Sequence, residues 1–300
     1  MKSLKMAMMV VLVITLILGV SYPTFAAPSI DEKLGVPILV LGANLSDTQK
    51  EKVRKILDVK NEETVEEYTI NGEDAATYIN GNADAQMFSS AKIVRAEEGK
   101  GLTINIKTPD NITEVTSEMY TNALLTAGVE NATVGVASPV KVSGHSALTG
   151  IYKAYDVQGV ELDKERMELA NEELGVATNL AKKDGLSQEK VSQLLTEIKK
   201  DIAEQNPATK EDVEKIVEDQ LNKLGITLND ADRQILIDLF NKMRDLNIEF
   251  DKGKDQLEDL TGTIKDKVDE LGLDEGFWNK AANFFSEFFQ ALSNFFKGLF

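Results

Sequence analysis

Three hundred residues, 42% of them hydrophobic, are enough to bury a substantial core and suggest one or two domains. A net charge of −17 argues against nucleic acid as a partner, because an acidic surface repels phosphate and gains nothing from counterion release. The complete lack of cysteine excludes disulfides, thiolate metal sites and cysteine nucleophiles.

The chain opens with Lys2 and Lys5, an apolar run from Met6 to Val20, and then Ser21-Tyr22-Pro23-Thr24-Phe25-Ala26-Ala27. A basic start, a short apolar stretch and small residues near a cleavage point are the layout of a secretory signal peptide, and the run is short for a bilayer span. Cleavage after Ala26, with Thr24 at the minus-three position, fits best. Residues 1–26 are therefore expected to be removed on export. The mature chain is expected to be secreted or extracellular, peripheral on the outer face of the cytoplasmic membrane. Losing the leader removes two of the 33 basic residues and none of the 50 acidic ones, which takes the net charge from −17 to −19.

From residue 28 to 158 the pattern is that of an α/β domain. The continuous apolar run VPILVLG, Val36 to Gly42, reads as a strand covered on both faces. Ser46-Asp47 then opens a helix whose Val53, Ile56 and Leu57 share one side. Thr64 to Ile70 reads as a second strand, and Asn71 as the cap of a helix running to Ile79. Phe88–Arg95 and Leu102–Lys107 read as a hairpin joined by EEGKG. Thr116 or Ser117 starts a helix that stops at Gly128. Ala132–Ala137 is a strand, and Ser143 to Asp156 reads as the next helix. Strands alternating with helices favour a layered α/β arrangement, and the hairpin makes the sheet mixed.

From residue 159 to 271 only helical periodicity appears. Leu162–Lys183, Ser187–Gln205, Thr209–Leu224 and Asn229 to about Leu271 carry apolar residues at three and four spacing. Lys183-Asp184-Gly185 and Asn206-Pro207 supply breaks. LGANLSD, ending at Asp47, recurs loosely as LGITLND, ending at Asp230, and reads as shared helix-entry chemistry. The whole is an α+β or α/β fold: an N-terminal mixed sheet with packed helices, then an all-helical region.

Residues 274–300 differ in kind and read as a terminal amphipathic helix. Phe277, Trp278, Phe284, Phe285, Phe288, Phe289, Leu292, Phe295, Phe296, Leu299 and Phe300 fall on one helical face, opposite Asn279, Lys280, Asn283, Ser286, Glu287 and Gln290. Burying such a ribbon is worth on the order of 10–20 kcal/mol before ordering costs. It is expected to bury against its own helical domain, a second copy of the chain or another partner, or the membrane surface.

Any catalytic reading passes through the only histidine, His145, in Gly144-His145-Ser146. A nucleophile elbow needs G-x-S-x-G between strand and helix, and Leu148 occupies the second glycine position. His145 directly precedes Ser146, where it is poorly placed to act as that serine's base, which leaves Lys141 or Lys153 as partners for a Ser-Lys pair. Ser143 and Ser146 read better as hydrogen bonders at a helix start, with Gly144 allowing a tight turn. One histidine cannot form a zinc triad, no calcium loop is present, and VSGHSALTG has neither P-loop nor dinucleotide spacing. No metal, cofactor or catalytic residue is therefore assigned, and a cell-envelope hydrolase using Ser146 is the alternative.

LGANLSDTQ, ITEVTSEMYTNALLTAG from Ile112 to Gly128, VSGHSALTG from Val142 to Gly150, and the helix around Ala170-Asn171-Glu172-Glu173-Leu174 carry a resemblance. Together they resemble the YpuA-like family of exported Firmicutes proteins, a domain of unknown function. The likeness runs to about Leu246 and leaves out the aromatic segment. It implies an uncharacterised, envelope-associated protein of Gram-positive bacteria and supplies no catalytic residues. The family's usual VSGTAALTG differs here at His145 and Ser146, which weakens a catalytic role for either.

Overall fold

The computed structural model describes residues 34–59, 64–183, 186–248, 250 and 254–271. The leader expected at 1–26, the Asp184-Gly185 part of one break, and every residue of the aromatic segment from Phe277 to Phe300 lie outside them. Five strands form one mixed sheet: β1 Ile38–Gly42, β2 Glu66–Ile70, β3 Ser90–Arg95, β4 Leu102–Ile106 and β5 Ala132–Ala137, in the order β2-β1-β3-β5-β4. The pairs β1/β2 and β4/β5 are parallel, whereas β3 runs antiparallel to β1 and β5.

The expected hairpin between 88–95 and 102–107 does not form. β5 lies between the two strands and pairs with β3 from Ser90↔Ala137 to Arg95↔Ala132. The side chains explain the order. β5, ATVGVA, buries Ala132, Val134, Val136 and Ala137, so it belongs inside the sheet, whereas β4 exposes Thr103 and Asn105 and suits an edge. The main-chain N–H of Leu102 on that edge donates to Gln256 Oε1 at 3.0 Å.

Among the described residues four helices accompany the sheet: α1 Asp47–Ile56, α2 Gly72–Ile79, α3 Ser117–Ala127 and α4 Ala147–Val157. Ser46 and Asn71 close reciprocal capping boxes on α1 and α2, and Gly128 takes the left-handed position after α3, with φ +87°. Alternation along β1 sorts the core into two faces. Leu39 and Leu41 pack with Val53 and Leu57 near α1, while Ile38 and Val40 join the larger cluster that also takes in α3 and α4.

Among the described residues five further helices follow: α5 Lys164–Leu180, α6 Gln188–Gln205, α7 Lys210–Lys223, α8 Asp230–Asp245 and α9 Lys254–Glu270. The core does not divide at 158/159, because one apolar cluster runs from Ile38 through Tyr152, Leu174 and Ile198 to Leu257. The single helix expected over 229–271 is two. α8 stops at Leu246, Asn247 adopts φ +48°, and Ile248 and Phe250 turn into the core. Ser46 and Asn229 both cap helices, as the LGANLSD and LGITLND pair implied. Among the described residues no helix is long and apolar enough to cross a membrane.

Candidate functional site

The turn before α4 is built around Gly144. Its φ of +110° favours glycine, and a Cβ there would stand 2.8 Å from Ile112 Cγ2 and 2.9 Å from the Tyr120 hydroxyl. Tyr120 Oη donates to Gly144 O at 2.6 Å and locks the turn to α3. This conformation delays the helix, so α4 begins at Ala147 and not at Ser143. Ser146 occupies the N-cap position but makes no side-chain capping bond, contrary to its expected role. Ser143 Oγ lies 3.2 Å from His145 Nδ1.

The histidine bridges the turn to α5. His145 Nε2 lies 3.2 Å from Thr178 Oγ1, and that hydroxyl donates to Leu174 O at 3.0 Å. Thr178 therefore accepts from Nε2–H, and the network assigns Nδ1 as the acceptor for the Ser143 hydroxyl. Both ring nitrogens are thus held by residues other than Ser146. The proposed Ser-Lys pair is not assembled with Lys153, whose Nζ donates to Thr69 O (2.9 Å) and Asp74 Oδ1 (2.8 Å).

Burial lowers the His145 pKa from its ordinary 6.5; nearby Glu114 opposes this shift and Lys182 reinforces it. The unfolded chain then binds the proton at a higher pH than the folded one does. The stabilising share of neutral His145 is complete above about pH 6.5 and is lost as the pH falls below that value and through the lower folded-state pKa. Melting His145→Gln beside the parent at pH 7.5 and pH 5 should show the parent losing more stability on acidification than the variant. Parallel losses would refute the assignment.

The second unusual cluster is buried and was not read from the sequence. Lys199 of α6 and Glu173 of α5 are 0% and 1% exposed, and Lys199 Nζ donates to Glu173 Oε1 at 2.6 Å and to Asn122 O at 2.7 Å. Thr126 Oγ1 donates to Glu173 Oε2 at 2.6 Å, and Asn122 Nδ2 donates to Thr196 Oγ1 at 2.9 Å. The ammonium lies 5.6 Å from the ring centre of Phe250. Desolvation lowers the Lys199 pKa, and the Glu173 carboxylate works against it. A signal was available. Lys199 stands four residues after Leu195 and three before Ile202, on the apolar stripe of its helix, and Glu173 stands four after Leu169 and four before Ala177.

This network ties α3, α5 and α6 together and gives both charges partners, which is the condition for burying them at all. A second buried lysine, Lys190, donates to Leu224 O at 3.2 Å, the carbonyl just past the end of α7, and burial pushes its pKa down to about 8. Two surface grooves lie among the described residues. One of about 420 Å³ is walled by Glu165, Glu168, Glu172, Asp245 and Lys242; Lys242 donates to both Glu172 carboxylate oxygens, at 2.7 and 2.8 Å. The other, about 340 Å³, runs between β4 and α9 and is lined by Leu102, Ile104, Glu118, Gln256 and Leu260. Among the described residues no group of three or more His, Asp or Glu side chains is placed to hold a metal ion.

The family described as "Protein of unknown function (DUF1002)" matches residues 41–260, from β1 into α9. This chain belongs to the DUF1002 family. It is 36% identical over 277 residues to "Uncharacterized protein YpuA" of Bacillus subtilis (strain 168), covering 89% of this chain and 92% of that protein. No solved structure matches. The DUF1002 region contains the sheet except for the first three residues of β1, the His145 turn and the buried Glu173–Lys199 pair, and it stops before the aromatic segment.

Proposed function

We propose that this chain is an exported, non-catalytic protein of the Gram-positive cell envelope, held at the outer face of the cytoplasmic membrane by its aromatic segment, residues 277–300. The non-catalytic reading is carried by one observation: both His145 nitrogens are occupied by Ser143 and Thr178, which leaves Ser146 without a histidine base. The location is supported by the leader-like start and by a ring-bearing face long enough to lie along a lipid interface. Membership of a family of unknown function supplies no competing activity.

The test is fractionation of a Gram-positive host expressing either the full chain or a chain ending at Leu273. The full chain should start at Ala27 after processing, sediment with membranes, and be cut by protease added outside protoplasts. The shortened chain should lose membrane association by at least about threefold. Equal association, or protection from external protease, overturns the proposal. If the full chain is instead oligomeric in solution and the shortened chain monomeric, with no membrane difference, the segment joins copies of the chain and the lipid reading fails.

A further inference from the structure

β4, with the sequence LTINI, is a margin of the sheet and carries no charged side chain. Its main-chain bonds fix which way its peptide groups point. Lys107 N–H donates to Val136 O at 2.8 Å, and Gly101 O accepts from Ala132 N–H at 3.2 Å, so residues 101, 103, 105 and 107 face β5. In a parallel ladder the intervening residues face the other way, which turns the peptide groups of Leu102, Ile104 and Ile106 outward. Gln256 Oε1 takes the Leu102 N–H, and no strand among the described residues faces the other two. Beside them runs the groove of about 340 Å³, which α9 and the first turns of α3 also line. The opposite margin, β2, is guarded. Lys153 Nζ donates to Thr69 O at 2.9 Å, and Glu66 and Glu67 place charge along it.

We infer that β4 accepts a further strand from another protein: an extended segment that pairs with Ile104 and Ile106, displaces the Gln256 carboxamide from Leu102 and carries a basic residue. Main-chain bonds supply the pairing, and the groove selects the side chains. Alternate residues of the added strand point to the side of Leu102 and Ile104, where apolar groups lie against Ile104 and Leu260. Charge sets the remaining position. Glu118 in the groove is matched by Lys267 at 2.5 Å, whereas Asp259 has no ion-pair partner among the described residues. A lysine or arginine on the incoming strand supplies that partner, and the net charge of −17 attracts a basic segment from a distance. None of these groups belongs to the aromatic segment, so the site stands whether or not that segment binds lipid.

Amide hydrogen exchange in the mature full chain tests the pairing. The probe is a nine-residue peptide, capped at both ends, with threonine at its even positions, lysine at its centre and valine at the other odd positions. In excess peptide, exchange at Ile104 and Ile106 should slow at least about tenfold, while Thr103 and Asn105, already paired to β5, change little. Methylating one set of alternate peptide amides should weaken binding at least about tenfold, and methylating the other set should leave it within about threefold, because only one set faces β4. Ile106→Pro removes an outward N–H without touching the β5 ladder and should weaken binding to a similar degree. The methylated peptides decide the matter even where that variant fails to fold.

Unchanged exchange at Ile104 and Ile106, or equal binding by the two methylated peptides, overturns the inference. For the charge match, Asp259→Asn should weaken the lysine peptide about three- to fivefold, and a peptide with glutamate at its centre should bind the parent more weakly still. Equal binding in both comparisons overturns the basic partner. Slowed exchange at the same two amides without peptide, rising with protein concentration alongside a doubled mass, would seat a second copy on β4 and overturn the inference as well.

Discussion

Lys199→Met is expected to cost about 3–5 kcal/mol of folding stability, because it leaves the Glu173 carboxylate buried without its counter-charge. The methionine fills most of the volume beside Phe250, so the loss reports charge and not a cavity. Two hydrogen bonds disappear with the ammonium, one to Glu173 and one to Asn122 O, and the carboxylate keeps the Thr126 hydroxyl. The double variant Glu173→Leu, Lys199→Met removes both charges and should regain most of the lost stability, as apolar replacements of buried pairs commonly do. Urea midpoints with an unchanged slope measure both. A loss below about 1 kcal/mol for Lys199→Met would show that water reaches the pair and that it is not the sealed contact described here.

Gly144→Ala is the second large effect, expected at about 2–4 kcal/mol from two sources. An L-residue at φ +110° is strained, and the new methyl would press on Ile112 Cγ2 and the Tyr120 hydroxyl, which already donates to Gly144 O. Gly159→Ala separates the two sources. Gly159 also has positive φ, +70°, but nothing lies within 4 Å of its Cβ position, so only the conformational share, about 1 kcal/mol, should appear. Equal losses at the two positions would mean that the His145 turn shifts to admit the methyl group.

Much of the architecture was legible because local chemistry and tertiary packing agree. The hydroxyl or amide caps at Ser46, Asn71, Thr116, Ser187 and Thr209 all mark helix starts, and Gly128 marks an end. Strand order was not legible. Phe88–Arg95 and Leu102–Lys107 are joined by a glycine-bearing turn, and nothing local reveals that β5, thirty residues further on, outcompetes β4 for the place beside β3. Polar Thr103 and Asn105 hinted at an edge, but alternation of this kind equally fits one arm of a hairpin.

The buried pair escaped for a different reason. A lysine and a glutamate at helical spacing read as solvated faces, and only their positions among Leu195, Ile202, Leu169 and Ala177 set Lys199 and Glu173 apart. The break near Asn247 was hidden because apolar periodicity resumes in α9, so one uninterrupted pattern covers two helices.

The bond from Leu102 to Gln256 has a wider consequence. β4 is an open margin of the sheet, and outward-facing peptide groups on such a margin template stacking with other polypeptides. The carboxamide of Gln256 stands in for a neighbouring strand at the first of these groups, and α9, which carries it, shields the groove beside Ile104. The last described helix therefore protects the solubility of the chain as well as adding to its core, and a protein ending before Lys254 would leave that margin available for intermolecular aggregation.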